Sequence, residues 1–526
     1  MDRQNNLRYR VAPLEMSPSE FRKAGYRVVD EIAEFLCSLP EQPVTPDEFP
    51  VIVREALGTG SLPSDGMEAR QLLEDTAHLL FDHSLFNGHP RFMGMITSSA
   101  APIGALGDLL AAAVNSNVGG WVLAPVATEI EAQTIRWIAE MIDYPTDCGG
   151  LLVSGGNMGN FVGLLTARKA KATWDIRTAG LAGGDGDKLC LYTSKETHTW
   201  IHKAVDLFGL GLDAIRWIPV DGQQRMDVHA LRTQIQEDIA EGNKPFLVVG
   251  TAGTVSTGAV DPLTEIAAIC REQNLWFHVD GAYGGIAALL LQNNEGIEVS
   301  PDLKGIREAD SVAIDPHKWL YAPLEAGCVL VRNAALLRDT FSAHHPTYYH
   351  FDDVGDHTVD YYEYGLQNSR GFRALKVWLA LRQVGREGYV RMIADDITLA
   401  QELYRLIDTQ PELQAYTQNL SITTFRYVPR DLNLELVEAE TYLNRLNTEI
   451  LTRVQKSGEA FISNAVIHDT FLLRACIVNF RTSSEDIEAL VELIIRIGRQ
   501  VDTLLRPASP TSSTTLAELQ RERTLQ

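Results

Sequence analysis

Two short apolar runs, each ending in a small or polar residue, limit most strongly what this chain can fold into. They cover residues 246–250 (FLVVG) and 275–280 (LWFHVD). Neither run alternates apolar and polar residues, which is typical of strands buried on both faces of a parallel sheet. Ligands of such sheets gather at the carboxyl ends of the strands. The runs therefore predict an α/β fold, with Asp280 at the edge where chemistry takes place.

A single lysine, Lys318, directly follows His317 where a third apolar run, residues 311–314, gives way to a loop. A lysine in a protein cleft can lose its proton and attack an aldehyde, and pyridoxal phosphate is the commonest aldehyde that proteins hold this way. A carboxylate at the place of Asp280 could pair with the pyridine nitrogen of that cofactor and make its ring an electron sink. The alternatives are a strand lysine at a sheet edge and an aspartate that caps a helix.

A glycine-rich segment, residues 154–160 (SGGNMGN), joins an apolar run to a helix-like stretch at 161–171. Backbone amides at a helix N-terminus attract phosphate, and glycines let the anion approach closely. The segment has neither the GK[ST] ending of a P-loop nor the spacing of a dinucleotide fingerprint. It predicts a phosphate cradle, with an ordinary strand-to-helix turn as the alternative.

In this order, the motifs resemble the group II pyridoxal-phosphate-dependent decarboxylases, most closely those that act on aromatic L-amino acids. The resemblance spans nearly the whole chain, from residues 17–25 through 88–92 to 471–481. It implies the pyridoxal-phosphate-dependent transferase fold (fold type I), with a mostly parallel sheet in a large domain. It also implies an N-terminal helical arm, a small C-terminal α+β domain and a homodimer with its active site at the subunit interface.

The resemblance also implies a role for each matching residue. Lys318 would hold the aldehyde as a Schiff base, Asp280 would pair with the pyridinium, and His198 would stack above the ring. The other cofactor contacts would be Ala282 beneath the ring, with Gly156, Asn157 and His317 at the phosphate.

His198 and His202 are also spaced i, i+4, as in a pair that clasps a metal on one helix face. We predict no metal site, because a third ligand at a suggestive spacing and the glutamate of H-E-x-x-H are both missing. His202 is expected to be an ordinary surface histidine of a helix.

A tyrosine that protonates Cα is implied within the segment 344–349 (HHPTYY), which matches a mobile loop of the family. Tyr348 is the matching residue, and Tyr349 is a possible substitute. A phenol on a lid reaches the reacting carbon only after the site closes. Phenylalanine at this place accompanies oxidative deamination in the family, so Tyr348 favours simple decarboxylation. The alternative is a surface aromatic residue.

Thr97 matches a threonine that lies near the substrate in the family, and Arg373 falls in a segment that the family shares; each has a structural alternative. Thr97 is expected to bind substrate or to cap the helix predicted over 100–114. Arg373 would either contact the substrate carboxylate or brace the fold.

Several positions depart from the aromatic-specific pattern. Asn117 and Gly119 stand where bulky apolar residues would line the partner's pocket, which predicts a roomier or more polar pocket. Val255 replaces a threonine that contacts the cofactor, so that contact is expected to shift to Thr254. Asp315 replaces an asparagine near the phosphate and would repel that anion unless it points away, is protonated or meets a cation.

Composition agrees with a globular enzyme that acts on a small molecule. The 526 residues carry a formal net charge of −23, which argues against nucleic acid or an anionic membrane as a partner. The six cysteines form no C-x-x-C pair, and no apolar run suits a membrane span or a signal peptide, so a cytoplasmic protein is expected. We expect an arm at 1–85, a large domain at 86–385, a small domain at 386–505 and a disordered tail at 506–526.

Together these observations predict decarboxylation of an L-amino acid, with an aromatic side chain favoured. Three alternatives stay open: a decarboxylase of glutamate, aspartate or 2,4-diaminobutyrate; an aldehyde synthase or aminotransferase that uses the same cofactor; and a non-catalytic cofactor-binding protein.

Overall fold

The computed structural model describes residues 12–184, 186–293, 296–342, 358–434 and 438–506. Within these ranges, no helix combines the length and the apolar character that crossing a membrane requires. The tail from residue 507 and the loop around Tyr348 and Tyr349 lie outside the described residues.

The N-terminal segment is helical, with α1 (Pro18–Ser38), α2 (Pro50–Leu57) and α3 (Ala69–His83). A capping box starts α1, since the backbone amide of Glu20 donates to Ser17 Oγ (3.2 Å) and that of Ser17 donates to Glu20 Oε2 (2.8 Å). The ring of Phe35 stacks on Phe81 with centroids 4.4 Å apart, which holds α1 against α3.

The core of the molecule is a seven-stranded sheet. Its strands are β1 (Gly149–Val153), β2 (Leu189–Ser194), β3 (Ile215–Ile218), β4 (Lys244–Thr251), β5 (Trp276–Asp280), β6 (Ser311–Ile314) and β7 (Gly327–Val331). Their order is β1-β7-β6-β5-β4-β2-β3, and only β7 runs antiparallel to its neighbours. The two apolar runs that predicted parallel strands are β4 and β5, which pair directly with Thr251 opposite Asp280. The predicted fold class is confirmed.

Helices and short 3₁₀ turns surround this sheet. The helices are α4 (Pro102–Val114), α5 (Pro125–Met141), α6 (Gly156–Lys171), α7 (Ile176–Ala179), α8 (Trp200–Leu207), α9 (Val228–Ala240), α10 (Leu263–Glu272) and α11 (Ala334–Phe341). The 3₁₀ turns of the described chain are Leu39–Glu41, Trp121–Leu123, Leu181–Gly184, Leu212–Ala214, Gly284–Gln292, Pro301–Glu308 and Tyr361–Glu363. Helix α6 packs against β4, β5, β6 and β7, and α10 packs against β4 and β5. The central strands are therefore covered, which explains why they lack polar alternation.

A second, antiparallel sheet follows the long helix α12 (Ala374–Thr409). Its elements are β8 (Leu413–Asn419), β9 (Ile422–Tyr427), α13 (Ala439–Lys456), β10 (Ser463–Ile467), β11 (Thr470–Cys476) and α14 (Ser484–Leu505). The domain boundary expected near residue 385 falls inside α12, where Gly385 leaves helical geometry (φ 69°, ψ 169°). Strand β9 begins at Ile422, because Leu420 has a left-handed backbone (φ 47°) in the turn between β8 and β9.

A buried ion pair anchors the end of β1, from which the glycine-rich segment departs. Arg370 pairs with Glu131 of α5, and both side chains are at most 1% exposed. Arg370 also donates to the carbonyl oxygens of Val118 (2.8 Å) and Leu152 (2.7 Å), while the Leu152 amide donates to Glu131 Oε1 (2.8 Å). One guanidinium thus holds three segments together.

We expect Glu131→Gln to lower the free energy of unfolding by roughly 3 kcal/mol, because it leaves the Arg370 charge buried without a counter-charge. Thermal unfolding of the purified protein measures the change. Glu140→Gln, at an exposed position of the same helix, is the control and should leave the midpoint unchanged. Equal midpoints for Glu131→Gln and the wild type would contradict the anchoring role.

Candidate active site

One cavity of about 490 Å³ opens at the carboxyl ends of β4, β5 and β6, beside the N-terminus of α6. The structure brings most of the predicted site residues together in its lining: Thr97, Gly156, Asn157, His198, Asp280, Ala282, His317 and Lys318. These residues come from separate stretches of the sequence. They meet because parallel strands end at the same edge of the sheet.

Lys318 lies against the carboxylate of Asp315. The distance from Lys318 Nζ to Asp315 Oδ2 is 3.0 Å, and His317 Nε2 is 3.8 Å from the same oxygen. Of the three ways in which the negative charge of Asp315 could be tolerated near the phosphate, the structure shows contact with a cation, Lys318. Burial lowers the pKa of His317, and the charge of Asp315 opposes this shift.

Asp280 ends β5 and is held by a tryptophan that sequence analysis missed. Trp200 Nε1 donates to Asp280 Oδ2 (2.7 Å), and the amide of Ala282 donates to Oδ1 (3.3 Å). Trp200 is fully buried, and a buried indole N–H usually needs an acceptor. Its position two residues after His198 is the sequence signal that could have revealed it.

His278 lies on the same face of β5 as Asp280. It lies between Ser311 Oγ (2.7 Å from Nδ1) and Asn160 Oδ1 (2.8 Å from Nε2). Burial lowers the pKa of His278 to about 4, so the ring is neutral near pH 7. Asn160 belongs to α6, and this polar contact therefore fixes the helix that follows the glycine-rich segment to the strand that carries Asp280.

His198 lines the cavity, whereas His202 does not. Burial lowers the pKa of His198, the Asp280 charge opposes the shift and Lys318 reinforces it. Helix α8 begins at Trp200, so His198 precedes the helix and the two histidines do not share a helix face. His202 is exposed, with its ring centroid 5.0 Å from that of Trp217. Among the described residues, no group of three or more histidine, cysteine, aspartate or glutamate side chains is placed to hold a metal ion.

The cavity fits pyridoxal phosphate by its helix N-terminus and by its unpaired polar groups. Helix α6 begins at Gly156 without a side-chain cap, so its first amides face the cavity as an anion site. A Cβ at Gly156 would lie 2.8 Å from Asp315 Oδ2 and 3.1 Å from the Cβ of Ala282, which leaves this position to glycine. Thr251 Oγ1 is buried at the cavity and has no hydrogen-bond partner among the described residues.

Thr97 lines the cavity, and its buried Oγ1 has no hydrogen-bond partner within the described ranges of the chain. The capping alternative is wrong, because α4 begins at Pro102 and its N-cap is Ala101. The neighbouring Ser98 donates to the carbonyl oxygen of His317 (2.9 Å), which ties this segment to the loop of Lys318.

The structure does not bring Thr254 into the cavity. Its side chain is fully buried and lies 3.0 Å from Thr257 Oγ1, while Thr251 and Val255 line the cavity. The shift of the threonine contact to Thr254 is therefore not supported by the geometry. Thr251 is the threonine that sequence analysis overlooked.

Arg373 braces a loop at the rim. Its Nε donates to Glu325 Oε1 (2.9 Å), and its Nη1 lies 3.4 Å from Gln367 Oε1. Glu325 lines the cavity, whereas Arg373 does not. Of the two roles considered for Arg373, the geometry favours the bracing role.

Contacts within this chain explain why residue 117 is asparagine and residue 119 is glycine. Asn117 Oδ1 accepts from the amides of Arg370 (3.0 Å) and Gly119 (3.2 Å). A Cβ at Gly119 would lie 2.5 Å from the carbonyl oxygen of Asn368. Close backbone packing explains this glycine without reference to a substrate.

The fold and the lysine-containing cavity define a pyridoxal-phosphate enzyme of fold type I, and comparison with known proteins gives the family. The profile of the pyridoxal-dependent decarboxylase conserved domain matches residues 54–428. The chain belongs to this family. It is a pyridoxal-phosphate-dependent carboxy-lyase of the aromatic amino acid decarboxylase type.

Individual relatives cover nearly the whole chain. An aromatic-L-amino-acid decarboxylase of Bacillus atrophaeus is 33% identical over 93% of this chain and 97% of its own length. A phenylacetaldehyde synthase of a Rosa hybrid cultivar is 27% identical over 88% and 90%. Among solved structures, Oryza sativa TDC with PLP and tryptamine superposes with a TM-score of 0.84 at 26% identity, and the match covers 93% of this chain and 99% of that chain.

We expect Trp200→Phe to lower kcat about tenfold and to weaken retention of pyridoxal phosphate, because a hydrogen bond to a charged group contributes roughly 1.5–3 kcal/mol. Steady-state kinetics and the absorbance of bound cofactor measure these effects. Trp217→Phe, beside the exposed His202, is the matched control. An unchanged kcat in Trp200→Phe would show that the contact with Asp280 has no catalytic consequence.

Proposed function

We propose that this protein decarboxylates an aromatic L-amino acid to the corresponding amine and carbon dioxide. The observation that carries the proposal is the lining of the cavity beyond the predicted cofactor contacts. Ile96, Val255 and Leu324 offer an apolar surface there. A flat apolar side chain gains free energy from such a surface, whereas a charged one loses solvation.

The charges of the cavity argue against an acidic substrate. Among the described residues that line it, Lys318 is the only lysine or arginine, and its amine is assigned to the cofactor aldehyde. The carboxylates of Asp280, Asp315 and Glu325 also line the cavity, and Arg373 is already paired with Glu325. A second carboxylate on glutamate or aspartate would thus meet like charge. A diamino acid such as 2,4-diaminobutyrate is therefore a better alternative substrate than glutamate or aspartate.

The proposed roles follow from the position of each group. Lys318 would hold the aldehyde of bound pyridoxal phosphate, and the carboxylate of Asp280 would pair with the pyridinium of that cofactor. Burial lowers the pKa of His198, which favours an uncharged ring at the face of the cavity. When bound, pyridoxal phosphate supplies the sink for the electron pair left at Cα. Tyr348 delivers the proton to that carbon, a role that rests on the family resemblance alone.

An aldehyde product is the second candidate, and the similarity to the Rosa phenylacetaldehyde synthase supports keeping it. Such a reaction consumes dioxygen and water and releases ammonia and hydrogen peroxide as well as carbon dioxide and the aldehyde. The identity of the product therefore separates the two candidates directly.

The decisive experiment is mass spectrometry of the products formed by the pyridoxal-phosphate-loaded protein from a panel of L-amino acids. We expect amines from phenylalanine, tyrosine, tryptophan or dihydroxyphenylalanine. Lys318→Ala is expected to abolish turnover, because no other described lysine lines the cavity. An amine from an acidic or diamino substrate alone would refute the aromatic assignment. Aldehyde with peroxide would place the proton donor elsewhere than Tyr348.

We also propose a homodimer with the active site at its interface. Large apolar side chains stay exposed on α1 and α4, among them Phe21 (58%), Leu109 (54%) and Val114 (69%). Several large apolar side chains exposed on the same helix are typical of an interaction site. Light scattering at micromolar concentration should give twice the chain mass of 58.2 kDa. A fully active protein with the mass of one chain would refute the dimer.

A further inference from the structure

Asp396 carries a carboxylate that is buried in the protein interior. It lies on α12, is 2% exposed, and forms no ion pair with any lysine or arginine in the part of the chain that the structure describes. A buried charge costs several kcal/mol unless other groups compensate it. Its presence among apolar neighbours therefore calls for an explanation in terms of what it binds.

The carboxylate binds the two aromatic residues that follow Lys318. Asp396 Oδ2 accepts from Trp319 Nε1 (2.8 Å) and from Tyr321 Oη (2.7 Å). Both rings are at most 1% exposed. Trp319 is adjacent to Lys318 in sequence, so a carboxylate on α12 restrains the backbone that carries the lysine through the Trp319 side chain.

The same backbone adopts a conformation that needs support. Tyr321 has a left-handed backbone (φ 53°), which costs a residue with a Cβ roughly 1–2 kcal/mol. Its amide donates to the carbonyl oxygen of Lys318 (3.1 Å), and its own carbonyl oxygen accepts from the amide of Ala101 (2.8 Å). The contact with Asp396 offsets the cost of the turn that closes just behind the lysine.

A second branch links this cluster to the other side of the cavity. The ring of Trp319 stacks on Tyr283, with centroids 5.0 Å apart and planes 15° from parallel. Tyr283 follows Ala282, and its hydroxyl lies 2.7 Å from Ser421 Oγ at the turn between β8 and β9. The aromatic pair thus lies between the lysine loop, the loop after β5 and the four-stranded sheet.

We propose that Asp396 is a positioning residue for Lys318, which it acts on through Trp319 and Tyr321. The carboxylate fixes the turn after the lysine, and that turn fixes the direction in which the amine enters the cavity. This inference rests on the role proposed for Lys318. Asp396 does not line the cavity and is not a catalytic residue.

The ionised form of Asp396 suits its surroundings. Its neighbours are donors: the indole of Trp319, the hydroxyl of Tyr321 and the backbone amide of Asn479. Burial raises the pKa of Asp396 to about 7, and these hydrogen bonds oppose the shift. Experiments at pH 8 therefore examine the state in which the carboxylate accepts all three bonds.

The test is amide hydrogen exchange at pH 8 on the cofactor-free protein, followed by mass spectrometry of the peptide that covers residues 315–324. Asp396→Asn removes the charge at nearly constant size and should speed exchange in this peptide about tenfold. Tyr321→Phe removes one donor, keeps the carboxylate and should speed exchange about threefold. Asp395→Asn removes the same charge from the exposed neighbour and should leave this peptide unchanged.

Reloading with pyridoxal phosphate provides a second readout. Asp396→Asn should lower kcat about tenfold and leave KM within about twofold, because the lysine is displaced while the substrate contacts remain. Unchanged exchange at 315–324, or equal acceleration throughout the chain, would overturn the proposal. The exchange result does not depend on the reaction catalysed. An active Lys318→Ala would refute the proposed function and leave the exchange result standing.

Discussion

A charge removed from water must be met by another charge or by hydrogen-bond donors, and the carboxyl edge of the central sheet depends on this constraint. Asp280 is met by the indole of Trp200, and Asp315 by the amine of Lys318. Each pairing fixes the direction of a side chain that the chemistry needs. The pairing of buried charges at this edge therefore also preorganises the site.

The constraint extends from the cavity into the rest of the fold. Arg370 and Glu131 fasten the strand that leads into the glycine-rich segment, and His278 fastens the helix that follows it. Asp396 connects the loop of Lys318 to the helix that runs into the four-stranded sheet. Polar contacts buried among apolar side chains have few alternative partners, so they hold one geometry.

Sequence reasoning succeeded where local pattern and tertiary role agree. Continuous apolar runs predicted β4 and β5, and glycines before a helical stretch predicted the start of α6. It failed where a turn decides the direction of a side chain. Gly253 has a left-handed backbone (φ 94°), and the chain beyond it turns Thr254 inward to Thr257 and leaves Thr251 at the cavity. A capping role for Thr97 was wrong because the helix α4 begins at Pro102, five residues later than Thr97.

By itself, the sequence determined the fold class, the family and the set of residues that the parallel strands deliver to one edge, because strand periodicity and motif order are local properties. Only the tertiary structure decided how the charges among those residues are paired. The contacts of Trp200 with Asp280 and of Asp396 with Trp319 each join distant parts of the chain, so their proximity follows from packing. The contact of Asp315 with Lys318 is local in sequence, and the turn between the two residues brings it about. A hydrogen bond between distant segments is made or lost by a change of a few tenths of an ångström in the donor–acceptor distance, and no pattern in the sequence encodes that distance.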